Sequence, residues 1–154
     1  MTQSKRKKIL FVCTHNSSRS QMAEGMLREL KGDRWEAYSA GTAPTGVHPG
    51  AIAAMAEICI DIRDHRAKGI GAFQGIVFDE VVTVCDHAQE SCPVVPGGGV
   101  KRHQSFSDPA AARGTEAEVL AAFRRVRDEI RDWIMETYQS EEDPNVRGNE
   151  SPRR

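Results

Sequence analysis

A short apolar run leads directly into a polar loop and then into a helical pattern near the start of the chain. The apolar run is Ile9-Leu10-Phe11-Val12, and the loop reads Cys13-Thr14-His15-Asn16-Ser17-Ser18-Arg19-Ser20. This order predicts a strand, a tight loop and a helix. In such an arrangement successive backbone N–H groups converge at the helix N-terminus and favour a tetrahedral oxyanion.

Cys13 opens this loop and Arg19 closes it. A planar guanidinium binds two oxygens of an anion at once, and a helix N-terminus stabilises a thiolate. The loop therefore predicts a nucleophilic cysteine beneath a phosphate-like anion. The alternative for Cys13 is a buried strand-end residue, which the loop and its arginine disfavour.

The length of 154 residues suits one domain with its own core. We expect that domain over residues 1–138, followed by a polar and mobile tail over 139–154. A net charge of −1 implies no bulk attraction to nucleic acid. No stretch is apolar enough to span a membrane, and the basic start leads into too short an apolar run for a signal peptide.

We therefore expect a cytoplasmic protein with no membrane partner. Structural disulfides are rare in that compartment, so its cysteines predict redox or metal chemistry. They are Cys13, Cys59, Cys85 and Cys92. Cys59 lies between two isoleucines and is interpreted as a core residue, whereas Cys85 follows an apolar strand and by itself fits a small core residue equally well.

Hydrophobic periodicity predicts strands at 8–12, 35–40, 77–85 and 104–106. It predicts helices at 18–30, 50–58, 64–70 and 115–138, with an irregular segment at 86–101. Thr115 and Glu118 have the spacing of a capping box. The alternation predicts an α/β fold: a three-layer sandwich with a mainly four-stranded parallel sheet and helices on both faces.

The C-x5-R-S loop behind a first strand resembles the low-molecular-weight tyrosine phosphatase fold. The longer string CTHNSSRSQMAEG, residues 13–25, resembles more closely the thioredoxin-coupled arsenate reductases built on that fold. The remaining matches follow in family order, and they are Tyr38-Ser39-Ala40-Gly41-Thr42, Val47-His48-Pro49, Val82-Thr83-Val84-Cys85, Cys92-Pro93 and Phe106-Ser107-Asp108-Pro109.

This resemblance implies a relay of three thiols and no cofactor. Cys13 attacks arsenate, Cys85 attacks Cys13, and Cys92 attacks Cys85 to leave a disulfide that thioredoxin reduces. Cys13 and Cys85 both end predicted parallel strands, whose carboxyl ends meet at one edge of a sheet. Because a disulfide needs Cα atoms within about 7 Å, we expect the segment around Cys92 to refold on oxidation.

The resemblance also assigns the oxyanion cradle and a general acid. The cradle comprises Thr14, His15, Asn16, Ser17, Ser18, Arg19 and Ser20. Within it Ser20 donates to the Cys13 thiolate, and Asn16 tolerates a left-handed backbone. Asp108 matches the acid that protonates a leaving oxygen, although an Asp-Pro turn is its alternative interpretation.

No metal is expected. Some reductases of the family bind potassium through Asn, Glu, Ser and Asp; Asn16, Glu24 and Ser39 match, but Lys68 occupies the last position and its charge would replace the ion. A zinc site of Cys85, Cys92 and His103 lacks the paired ligand spacing. The histidines His65, His87 and His103 are interpreted as surface or packing residues and not as catalytic bases.

Two further functions remain open. A phosphatase acting on aryl phosphates would use the same cradle and Asp108. Typical phosphatases of this fold have a second cysteine where Ser18 stands, and aromatic residues where Ala110-Ala111-Ala112 follow, so both departures favour a reductase. A non-enzymatic oxyanion or redox sensor would carry the same residues, and turnover would separate it from an enzyme.

Overall fold

The computed structural model describes residues 6–86 and 99–139. Along the chain they form β1 (Lys7–Cys13), α1 (Arg19–Lys31), β2 (Trp35–Gly41), α2 (Pro49–Ala56), β3 (Glu80–Thr83), β4 (Val100–His103) and α3 (Glu116–Thr137). Single 3-10 turns at Ile70–Phe73 and Pro109–Ala111 precede β3 and α3.

The strands form one parallel sheet of four strands in the order β2-β1-β3-β4. Residues 9–12 of the central strand β1 are fully buried, as expected of a parallel strand covered on both faces. Cys13 pairs with Gly41 at the end of β2, and Val12 pairs with Thr83 at the end of β3. The predicted α/β fold class is confirmed, and three strands end together at the edge that carries the loop.

Aromatic side chains cover both faces of this sheet. On one face Phe11 packs edge-to-face against Trp133 of α3, with ring centroids 6.5 Å apart. Tyr38 lies on the opposite face, because its register partner on β1 is the residue that precedes Phe11. There Tyr38 contacts Phe73 and Phe78, each at 5.4 Å between centroids.

Helix α3 begins with the predicted capping box. Thr115 Oγ1 accepts from the Glu118 N–H, and the Glu118 carboxylate accepts from the Thr115 N–H. Its buried apolar stripe recurs every three or four residues and comprises Ala122, Phe123, Val126, Ile130 and Ile134. This stripe holds α3 in the core.

Two short predicted elements are wrong. The last strand is β4 and not 104–106; because β4 is an exposed edge strand of basic residues, it gives no hydrophobic signal. Residues 64–69 form no helix, and a turn in which Asp61 accepts from the Arg63 N–H precedes them. The predicted strand 77–85 is shorter, and the segment predicted irregular includes the start of β4.

Cys59 is exposed, which corrects its assignment to the core. Its backbone φ is 65°, and the N–H groups of Cys59 and Ile60 bond back to Ala56 O and Met55 O at 3.0 Å each. A left-handed residue just after a helix reverses the chain direction. Ile60 is therefore buried in place of Cys59.

The predictions for Cys92, for its refolding segment, for His87 and for the tail from 140 onward lie outside the described residues. Among residues 6–86 and 99–139, none of the helices combines the length and the apolar character needed to cross a bilayer.

Candidate active site

The polar loop connects the end of β1 to the start of α1 and packs tightly on β2. Cys13 is the last residue of β1 and is 2% exposed. Asn16 is buried in a left-handed conformation with φ of 50°. A Cβ atom on Gly41 would lie 2.7 Å from Thr14 O and 2.8 Å from Asn16 N. The close approach of β2 thus supports the backbone of the loop from behind.

The thiol of Cys13 lies 2.9 Å from Ser20 Oγ, and Asn16 Nδ2 donates to the same hydroxyl at 2.8 Å. The orientation of the Asn16 amide follows from its other contacts, because Oδ1 accepts from the Lys68 N–H at 2.8 Å and from Gln21 Nε2 at 2.9 Å. An amide nitrogen can only donate. The Ser20 hydroxyl accepts from Asn16 and keeps its own proton available to donate to a Cys13 thiolate.

A second layer of hydrogen bonds fixes Gln21. Its Nε2 donates to Asn16 O at 3.1 Å and to Arg66 O at 2.9 Å, which leaves Oε1 to contact His65 Nδ1 at 2.9 Å. Arg28 donates to His65 Nε2 at 3.3 Å, so the neutral ring carries its proton on Nδ1. Burial lowers the pKa of His65, which favours this neutral form. The interpretation of His65 as a surface or packing residue misses this role.

The potassium ligands that the resemblance implies are occupied by donors from the protein. Glu24 is buried and accepts from the Ser39 hydroxyl and from the Arg28 guanidinium. Asn16 Oδ1 already accepts from two N–H groups. Burial lowers the pKa of Lys68, and the Glu24 carboxylate opposes that effect. Because these oxygens already accept from protein donors and Lys68 adds a positive charge that interacts with Glu24, the residues present do not fit a potassium ion.

Arg19 and Asp108 face each other across the loop. Arg19 Nη2 lies 3.6 Å from Asp108 Oδ2, and Arg19 Nη1 donates to Phe106 O at 3.1 Å. Asp108 Oδ1 accepts from the Ala110 N–H at 3.0 Å and caps the short 3-10 turn. The Asp-Pro turn and a carboxylate at the mouth of the loop are therefore both present.

A small cavity of about 30 Å³ lies between these groups. Its lining residues are Cys13, His15, Ser17, Ser18, Arg19, Asp108 and Ala110. Within the described ranges, Ser18 Oγ and Arg19 Nε are buried and have no hydrogen-bond partner. Buried polar atoms are rarely left unpaired, so both are suited to an anion held above the Cys13 sulfur.

Cys85 lies beside the loop. Its Sγ is 3.3 Å from Thr14 Oγ1, although the two residues are 71 positions apart in sequence. The parallel pairing explains this contact, because the Val84 N–H donates to Val12 O at 2.9 Å and both strands end at the same edge. Cys85 is 3% exposed and lines a larger cleft of about 610 Å³ beside the cavity.

This cleft places several predicted residues together. Its lining residues are Thr14, His15, Arg19, Cys85, Asp86, Ser105, Phe106, Ser107 and Asp108. The side chain of His15 is exposed and lines both the cleft and the small cavity. Within residues 6–86 and 99–139, no group of three or more His, Cys, Asp or Glu side chains is arranged to hold a metal ion.

Sequence reasoning missed the side chains that support the loop. Gln21 carries a detectable signal, because it is a polar residue next to Ser20 on a fully buried part of α1. His65 carries no local signal, since it follows α2 in a segment without regular structure. The resemblance indicates Lys68 only through its charge at the potassium position, whereas its backbone N–H bond to Asn16 Oδ1 has no local signal in the sequence. Their contacts depend on how that segment returns to the loop.

Known proteins with the same sequence pattern agree with the fold and the loop described above. The family described as low molecular weight phosphotyrosine protein phosphatase matches residues 8–141. This chain belongs to that family, as the loop and the parallel sheet indicate.

Within the family, this chain is similar to proteins that are arsenate reductases. An arsenate reductase of Halalkalibacterium halodurans is 49% identical over 125 residues, which cover 81% of this chain and 90% of that protein. An arsenate reductase of Bacillus subtilis is 45% identical, with 83% and 92% covered. A solved arsenate reductase in its phosphate-binding state is similar with a TM-score of 0.70 and 30% identity, over 84% of this chain and 95% of that one.

Proposed function

We propose that this protein is an arsenate reductase that uses Cys13 as its nucleophile and Cys85 as its second thiol. The observation that carries the proposal is the 3.3 Å contact between Thr14 Oγ1 and Cys85 Sγ. It places a second sulfur next to the residue that follows the nucleophile. Hydrolysis of a phosphate ester has no use for a second thiol, whereas a two-electron reduction requires one. The identity to arsenate reductases over most of the chain supports the same conclusion.

The reaction balances with the groups present. Two thiols and one molecule of arsenic acid give one disulfide, one molecule of arsenous acid and one water. The Cys13 thiolate first replaces an oxygen of arsenate, which leaves as water after protonation. Cys85 then attacks the Cys13 sulfur. The sulfur–arsenic bond breaks and its electron pair stays on arsenic, so arsenic is reduced while the two sulfurs are oxidised.

The cradle residues hold the anion during the first step. Arg19 and the backbone N–H groups of residues 14–20 bind its oxygens. The Ser20 hydroxyl stabilises the attacking thiolate through the 2.9 Å contact. Asp108, 3.6 Å from Arg19, is the acid that protonates the departing oxygen.

Regeneration requires an external reductant. We place Cys92 as the third thiol, which attacks Cys85 and releases Cys13 for another cycle. Thioredoxin then reduces the Cys85–Cys92 disulfide. Thiol reductants of this kind keep the thiols of cytoplasmic proteins reduced. We therefore place the reaction in the cytoplasm.

A phosphatase is the alternative, and it is not favoured. The same cradle accepts phosphate, and slow hydrolysis of an aryl phosphate is compatible with it. The residues after Asp108 are Pro109 and small alanines, which offer no aromatic surface for a substrate ring. The contact of Cys85 with Thr14 has no part in that reaction.

The test compares two assays on the same preparation. Arsenate-dependent NADPH oxidation is measured with thioredoxin and thioredoxin reductase, beside hydrolysis of para-nitrophenyl phosphate. We expect NADPH oxidation that requires arsenate. Cys13→Ser should abolish this activity, and Cys92→Ser should complete a single turnover and then stall.

The other outcomes are equally informative. Fast hydrolysis without arsenate-dependent NADPH loss would identify a phosphatase. Oxyanion binding without turnover in either assay would identify a sensor. Steady turnover in Cys92→Ser would contradict the relay but not the reduction itself.

A further inference from the structure

His103 connects the ends of two strands beside the cleft. It is the last residue of β4 and pairs in register with Thr83, the last residue of β3. Its Nδ1 lies 2.7 Å from Thr83 Oγ1, and its Nε2 lies 2.9 Å from Asp86 Oδ1. The His103 side chain is 24% exposed, whereas that of Asp86 is 76% exposed. An exposed aspartate is thus held by a largely buried ring, so His103 packs at the end of β4 and bonds to its neighbours.

The direction of both hydrogen bonds follows from the groups involved. A carboxylate can only accept, so His103 Nε2–H donates to Asp86. In the neutral ring Nδ1 has no proton and accepts from the Thr83 hydroxyl. Thr83 is itself buried in the sheet. The ring is therefore fixed at one end by the sheet, and its other end holds Asp86.

The residue held in this way is the neighbour of Cys85. On the other side of Cys85, Val84 is bonded to the backbone of Val12 at 2.9 Å and of Phe106 at 3.1 Å. Cys85 thus lies between two anchored residues. Its sulfur contacts Thr14, and Cys85 and Asp86 line the same cleft.

We propose that His103 is a positioning residue for the second chemical step, because its hydrogen bond to Asp86 holds Cys85 beside Thr14 for attack on the Cys13 sulfur. This inference rests on the proposed arsenate reduction. In that step the Cys85 thiol loses its proton to water, the disulfide bond to Cys13 forms, and the bond from Cys13 to arsenic breaks. His103 takes no proton and touches no reacting atom.

The geometry predicts that loss of the His103–Asp86 hydrogen bond slows the second chemical step and leaves arsenate binding unchanged. Loss of the hydrogen bond leaves the oxyanion cradle intact, because His103 contributes no side chain to the small cavity. Attack of one sulfur on another requires close alignment, and a displacement of about 1 Å costs about 100-fold in rate. The rate of arsenite release at saturating arsenate should therefore fall, while the arsenate concentration that gives half the maximal rate stays the same.

The experiment is a single turnover without reductant, in which arsenite is quantified after rapid quenching. His103→Ala and Asp86→Ala should each slow release by about 10- to 100-fold. Because both remove the same hydrogen bond, the double variant should be no slower than either single one. In His103→Gln the amide can donate to Asp86 and accept from Thr83, so part of the rate should return.

Arg102→Gln is the matched control. Arg102 precedes His103 on β4 and bonds to Glu80 at 2.6 Å, away from the cleft. The Arg102→Gln substitution perturbs the same strand, and this variant should release arsenite at the rate of the unsubstituted chain. Melting temperatures confirm that each variant is folded.

Several results would overturn the inference. A His103→Ala rate equal to that of the unsubstituted chain, additive losses in the double variant, or an equal loss in Arg102→Gln would each remove the positioning role. If the unsubstituted chain releases no arsenite from arsenate, the proposed function fails, and the role of His103 in that reaction fails with it.

Discussion

At the scale of single residues, a chain of hydrogen bonds orients the groups around Cys13. The Lys68 N–H fixes the Asn16 amide, the amide nitrogen donates to Ser20, and the Ser20 hydroxyl keeps its proton available for a Cys13 thiolate. Arg19 completes the site from the opposite side, with Nε buried and unpaired among the described residues. The chemistry of the loop thus depends on a few fixed donors.

Arg19→Lys tests whether the fork of the guanidinium is needed as well as its charge. The ammonium keeps the charge but loses the planar pair of donors. We expect kcat/KM for arsenate to fall by about 100- to 1000-fold, as for the loss of one oxyanion donor. Steady-state kinetics with arsenate checks this, and an unchanged KM together with an unchanged kcat would contradict the cradle.

At the scale of elements, the end of β2 packs directly against the backbone of the loop. Gly41 pairs with Cys13 and lies against the backbone of Thr14 and Asn16. Here glycine is required for close approach, since any Cβ would overlap backbone atoms that cannot rotate away. The conformation of the loop is therefore coupled to the position of a strand.

Gly41→Ala should separate β2 from the loop. Overpacking of this kind costs about 1–3 kcal/mol of unfolding free energy, and we expect oxyanion binding to weaken together with stability. Urea unfolding and binding of arsenate measure the two effects. Gly71→Ala is the control, because a Cβ there meets nothing within 4 Å; an equal loss in both variants would show that the effect is not specific to the loop.

At the scale of the whole molecule, long-range contacts join the segment after α2 to the loop and to α1. His65 bonds to Gln21 and Arg28 of α1, and Lys68 bonds to Asn16. Protonation of His65 would place a positive charge where Nε2 now accepts from a guanidinium. The stability of the whole fold is therefore linked to the charge of one ring.

The sign of this linkage follows from the lowered pKa of His65, which burial causes. Because the folded chain binds the proton less readily than the unfolded chain, the stabilisation is present above the ordinary value of 6.5 and is lost as the pH falls below it. His65→Gln keeps both hydrogen bonds without a titrating group. Its unfolding free energy should decrease less than that of the unsubstituted chain between about pH 7.5 and pH 5.5. Parallel curves from urea unfolding would contradict this linkage.

Much of the central fold could be predicted, because it is encoded in adjacent residues. The buried run of β1, the loop from Cys13 to Arg19 and the capping box at Thr115 all depend on local pattern. Elements without such a pattern were missed or misplaced. β4 has exposed basic residues in place of an apolar alternation, and Cys59 lies among isoleucines but follows a helix end that turns it outward.

The sequence by itself thus determined the α/β class and the loop that opens with Cys13 at the end of β1 and reaches Arg19 at the start of α1. Only the tertiary structure decided which distant groups support them. Cys85 reaches Thr14 across 71 positions, Lys68 reaches Asn16 across 52, and His103 reaches Asp86 across 17. The physical reason is that local patterns report burial and turn chemistry, whereas these contacts depend on where parallel strands end and on how the chain returns to that edge.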